Sequence, residues 1–108
     1  MSQKPIVADS TDPAQLKRAR DFDRLRRERE LNDLAAVLRT AEGRRLVYRL
    51  FDVAGIFRSS FTGNSTTFFN EGQRQVGLIF LADINDHFPE QYLAMLAEAK
   101  ERNERGIP

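Results

Sequence analysis

The chain has 108 residues, with 17 Lys+Arg against 16 Asp+Glu for a net charge of +1, one histidine, no cysteine and no tryptophan. That length makes one small domain with a thin core, which argues against a large internal active site. The cysteine and histidine counts exclude a disulfide scaffold, a thiol nucleophile, a thiolate metal site and a multi-histidine zinc site.

Residues 1–12 are polar, contain Pro5 and show no periodicity, so they read as a flexible arm. Asp12-Pro13 is a helix start: the carboxylate caps the first free amides and proline suits the first helical position. A charged amphipathic helix is expected over residues 13–39. Leu16, Ala19, Phe22 and Leu25 recur at spacing three, and Leu31, Leu34, Ala35 and Leu38 carry the apolar face onward. Between Lys17 and Glu30 this helix holds seven basic and four acidic residues. Asn32-Asp33 either caps a fresh turn or sits on the outer face of one long helix.

Thr40 is a good cap for a helix over Ala41–Ala54, with Glu42 in the first turn where the helix dipole favours an anion. Leu46, Val47, Leu50, Phe51 and Ala54 form its inward face, Gly55 ends it, and Ile56 folds back onto the last turn. Residues 57–65 form a loop that Phe57 and Phe61 anchor. Ser65 caps a third helix over about Thr66–Asp86, with Phe68, Phe69, Val76, Ile79, Phe80 and Ile84 expected in the core. Gly72 and Gly77 each weaken that helix by about 1 kcal/mol relative to alanine, so each either admits a close neighbour or is merely tolerated. Pro89 opens a fourth helix to roughly Asn103, with Tyr92, Leu93, Met95 and Leu96 facing inward. The expected fold is all-α, a small helical domain of about four helices over residues 13–108, with a compact body at 40–103.

Charge is polarised along the chain. Residues 1–60 carry 13 basic and 9 acidic side chains, a net of +4, and residues 61–108 carry 4 and 7, a net of −3. Contact between copies, or a basic end lying on an acidic partner, would use this pattern; two solvated faces are the plain alternative. The longest nearly apolar stretch, Val76–Ala82, falls far short of the ~20 residues a bilayer span needs, so no membrane partner is expected. The Met-Ser-Gln-Lys-Pro start lacks the apolar region of a signal peptide, and a soluble protein working inside a cell is expected.

Parts for catalysis are missing from the pattern. Ser59, Ser60, Thr62 and Ser65 are nucleophile types, but His87 lies more than twenty residues from them with no Ser-His-Asp ordering. Asp83 and Asp86 sit one turn apart, and two carboxylates alone make a poor metal site. Gly63-Asn64-Ser65 lacks the lysine of a phosphate-binding loop. The chain is therefore expected to be no enzyme, with no cofactor and no metal. A basic segment that includes Arg20, Arg24 and Arg27 invites DNA, but the interleaved acids, as in Arg24–Glu28 at i,i+4, also suit a salt-laced helix or a protein interface. The segment from Phe57 to Gly77, with Phe57, Arg58, Phe61, Asn64 and Arg74, is either a loop pinned to the body or a rigid docking surface, since aromatics and arginine dominate interface hot spots.

Thr40-Ala-Glu-Gly-Arg-Arg45, Gly55-Ile-Phe-Arg58, Ser60-Phe-Thr-Gly-Asn-Ser65, Thr67-Phe-Phe69, Glu71-Gly72 and Arg74-Gln-Val-Gly77 together resemble the Bordetella-phage-type small virion proteins. That family is encoded among the head and tail structural genes of short-tailed phages, and the resemblance covers about residues 33–97. It implies a phage setting and brings no catalytic residues. Taken together with the missing catalytic parts, the polarised charge and the extended amphipathic first helix, it leads to the expectation of a non-enzymatic virion-assembly protein in multiple copies at the portal, head–tail junction or capsid. Such a protein is found in the virion and in the host cytoplasm during assembly, with the first helix contacting a neighbouring subunit or partner. Its expected partners are other virion proteins and further copies of itself. The alternative is a small phage nucleic-acid-binding protein that acts in packaging or regulation through the basic helix.

Overall fold

The computed structural model describes residues 12–57 and 65–108, with residues 65–69 described by backbone alone. Most of the expected arm, and Arg58, Phe61 and Asn64 in the loop, lie outside the described residues. The fold is all-α, in the order α1 (Pro13–Leu38), α2 (Ala41–Ala54), α3 (Ser65–His87) and α4 (Pro89–Arg105). Among the described residues there is no strand. They fall into two units, one ending at Asp33 and the other running from Leu34 to Pro108.

The first unit is the greater part of α1. Asp12 starts it as its chemistry predicts, with Oδ1 accepting from the amides of Ala14 at 3.0 Å and Gln15 at 3.4 Å. The helix runs on through Asn32-Asp33 without a break. Its apolar positions do not form one stripe. At about 100° per residue, a spacing of three turns each side chain back by about 60°, so Leu16 to Leu25 sweep half-way round the axis. Leu31, Leu34, Ala35 and Leu38 instead cluster within about 100°. Phe22 and Leu25 are accordingly half exposed, and the expected continuous apolar face is absent.

The second unit has a conventional core. Leu38, Phe51, Ile84 and Met95 are essentially inaccessible and Val47 nearly so; Leu34, Tyr48, Ile56, Leu81, Phe88 and Tyr92 pack around them. Each large side chain so buried contributes roughly 1.5–3 kcal/mol. The turn into α2 is fixed locally. Thr40 Oγ1 accepts from the Gly43 amide at 3.0 Å, and a Cβ on Gly43 would overlap the Val37 carbonyl oxygen. Gly55 ends α2 at φ 82°, with its amide on the Asp52 carbonyl at 3.1 Å and that of Ile56 on the Phe51 carbonyl at 3.0 Å. Ile56 thereby folds back, as its position predicts, against the backbone of Gly77.

One polar clasp joins three elements. Arg44 on α2 reaches Glu98 Oε1 on α4 through both Nε and Nη2 at 2.8 Å, and donates from Nη1 to the Leu38 carbonyl at 2.9 Å. It thus satisfies a carbonyl left free at the end of α1. Pro89 opens α4 as predicted, and the helix continues two residues past Asn103 before Gly106 ends it.

Several residues assigned to the core by periodicity are not in it. Leu46 and Leu50 on α2, Val76, Ile79 and Phe80 on α3, and Leu93 on α4 are each more than half exposed. The side chains of Phe68 and Phe69 lie outside those described.

Candidate functional site

The exposed apolar side chains of α2 and α3 are not scattered. Leu46, Leu50 and Val53 stand at i, i+4 and i+7 on α2, and Val76 and Phe80 at i, i+4 on α3, so each set shares a helix face. The two faces open onto one groove of about 580 Å³, closed at one end by Leu34 and Val37 from the last turns of α1. Val47, Phe51, Gly77 and Ile84 form its floor, and among the described residues Gln73 is the one polar residue that lines it.

Sequence periodicity held a signal for this groove. The apolar residues of α2 from Val53 round to Phe51 span about 160° of the helix, and those of α3 from Ile79 round to Leu81 about 200°. A helix that buries one face of a small body needs only about 100°. Most of the surplus lines the groove, while Ile79 lies outside it.

The residues picked out from sequence are placed as follows. Phe57 stacks on Tyr48, ring centroids 5.3 Å apart and 27° between planes, and the Arg102 guanidinium lies over the same Tyr48 ring, 5.7 Å from its centroid. Phe57 thus anchors the chain beyond α2 to the body. Arg74 is partly buried on α3, and its Nε is enclosed with no hydrogen-bond partner. It does not line the groove. Arg20, Arg24 and Arg27 share a face of α1 at i, i+4 and i+7. Arg20 Nε donates to the Leu16 carbonyl at 3.4 Å; Arg24 pairs with Asp21 at 3.8 Å and Glu28 at 3.4 Å; Arg27 pairs with Glu30 at 3.4 Å. Arg26 pairs with Asp23 at 3.5 Å and lies over Phe22. All of these pairs are within the helix and exposed.

His87 is exposed and tilts against Phe88 with centroids 6.3 Å apart. Among the described residues no three His, Asp or Glu side chains gather where a metal ion would sit. No helix among them is long and apolar enough to cross a membrane. A second cleft of about 560 Å³, beside Tyr48, Leu96, Ala99 and Arg102, is more polar.

A family model for Bbp19-like phage proteins matches residues 34–97, more than half of the chain. The match begins where the second unit begins and takes in every residue that lines the groove. No curated protein and no solved structure matches.

Proposed function

The chain belongs to the Bbp19-like phage protein family, and from that premise we propose that it is a non-enzymatic virion-assembly protein, acting in several copies by holding proteins of the particle together. The portal, the head–tail junction and the capsid are the places where such a protein works, so it belongs in the virion and, during assembly, in the host cytoplasm. The observation that carries this reading is the groove. It lies wholly within the family-matched span and its walls are aliphatic and aromatic side chains. Covering such a surface with another apolar surface is favourable by about 25 cal/mol per Å², and contiguous exposed patches of this kind mark protein contacts. Among the described residues that line the groove there is no acid, base or nucleophile.

Mass spectrometry of purified virions and of assembly intermediates tests the proposal. The protein is expected in one or both, in many copies per particle, and Leu50→Glu in mid-groove should remove it while leaving the chain folded. Absence of the unaltered protein from both would end the reading.

The alignment of Arg20, Arg24 and Arg27 on one face of α1 supports a second reading, contact with nucleic acid. The carboxylates that pair with Arg24 and Arg27 oppose it, because they neutralise the charge that phosphates would use. On that reading a gel shift should appear at low salt, fade as salt rises, and vanish when Arg24, Arg26, Arg27 and Arg29 become Gln.

A further inference from the structure

We infer that the occupant of the groove is a second copy of this chain, related by a two-fold axis running along the groove so that α2 of each copy lies over α3 of the other. The inference rests on reading the groove as a protein contact surface; it does not rest on the phage role. Three observations support it.

The first is area. Val37, Leu46, Leu50, Val53, Val76 and Phe80 are 40 to 58 % exposed. A partner that covered all of their exposed surface would bury at most roughly 550 Å² of it. A standard interface buries about 800 Å² per partner, of which about 65 % is apolar in homodimers, or roughly 520 Å². The face is the size a self-contact needs.

The second is register. A Cβ on Gly77 would lie 2.9 Å from that of Ala54, so these two positions fix where α2 and α3 touch. Val47 is seven residues before Ala54 and Ile84 seven after Gly77, and both belong to the same core cluster and the same groove floor. The helices therefore run antiparallel, level by level. Arg45 is nine residues before Ala54, and Asp86 is nine after Gly77. They stand at one level, both exposed, on the outer flanks of their helices.

The third is charge. A two-fold along the groove keeps every level and exchanges α2 for α3. It therefore sets Arg45 of each copy beside Asp86 of the other. A two-fold across the groove would instead lay α2 on α2 with its levels reversed, and no Arg45–Asp86 pair would form. Glu42 and Asp52 bracket Arg45 and Arg49 along the α2 flank, which confines the favourable match to this middle stretch. Opposite charges at the rim select the arrangement, and the apolar centre supplies the affinity.

Sedimentation velocity on the full chain across the micromolar range tests this. The unaltered chain should sediment as a dimer, and Leu50→Glu and, separately, Val76→Lys as monomers with unchanged helical circular dichroism. Arg45→Asp should weaken the dimer about tenfold, since the pair occurs twice, and Arg45→Asp with Asp86→Arg should restore it. A monomeric unaltered chain overturns the inference, as does a dimer that survives both groove variants or one that the charge exchange fails to rescue. A monomer that is captured by another virion protein through the same face also overturns it, yet leaves the assembly role intact. A dimer that is missing from particles does the reverse.

Discussion

At the scale of single residues, neighbours decide what identical side chains mean. Gly72 and Gly77 lie in one helix and look alike in the sequence. A Cβ at Gly72 meets nothing within 4 Å, whereas one at Gly77 meets Ala54 and Ile56 at 2.9 Å. Gly72→Ala should therefore gain up to about 1 kcal/mol through helix propensity alone. Gly77→Ala gains the same propensity but must push α2 and the Ile56 turn aside, and overpacking of this kind costs about 1–3 kcal/mol. Urea unfolding of the two variants should shift in opposite directions, with Gly77→Ala the less stable of the two. Arg44 makes the same point with charge. It is one of many arginines, but only its position opposite Glu98 and the Leu38 carbonyl makes it a clasp between α1, α2 and α4.

At the scale of the element, α2 carries two apolar faces with different work. Val47 and Phe51 face the core; Leu46, Leu50 and Val53 face the groove. Phe51→Ala leaves a cavity among Leu38, Ile84 and Met95 and should cost about 3–5 kcal/mol. Leu50→Ala removes a side chain that is already more than half exposed, and in the dilute monomer should cost no more than about 0.5 kcal/mol. Chemical denaturation at low protein concentration separates them, and similar losses for both would contradict the division of the helix into two faces. The helix α1 is a different kind of element. Over its first five turns it has end-capping and i,i+3 or i,i+4 ion pairs, which are worth only about 0.3–0.5 kcal/mol each when exposed.

At the scale of the whole molecule, this difference makes two units with unlike stability. Amides near Phe51, Ile84 and Met95 sit in the packed core of the unit that begins at Leu34, and they should exchange with solvent hydrogen only through global unfolding. Amides between Arg18 and Glu30 belong to a helix without a packed stripe and should exchange orders of magnitude faster, more so in high salt where the ion pairs are screened. Hydrogen exchange followed by mass spectrometry reads both at once; equal protection along α1 and the core would show that something else holds α1. The family-matched span lies within the unit that has the packed core, and that unit also carries the groove.

The sequence by itself determined the local features: four helices, the Asp12 and Thr40 caps, the Gly55 end with Ile56 folded back, the Pro89 start, and a phage family. Each depends on a few adjacent residues whose capping chemistry or backbone preference works wherever the chain goes. Arg24–Glu28 was legible for the same reason, since i,i+4 spacing alone brings them together. Only the tertiary structure decided which part of each wide apolar arc is core and which is surface. Periodicity states how much of a helix is apolar; the number of helices that surround it states how much is covered. With the end of α1, α3 and α4 around it, α2 buries Val47 and Phe51 and leaves Leu46 and Leu50 more than half exposed. The groove exists because the apolar surface on α2 and α3 exceeds what one copy of this small body can bury.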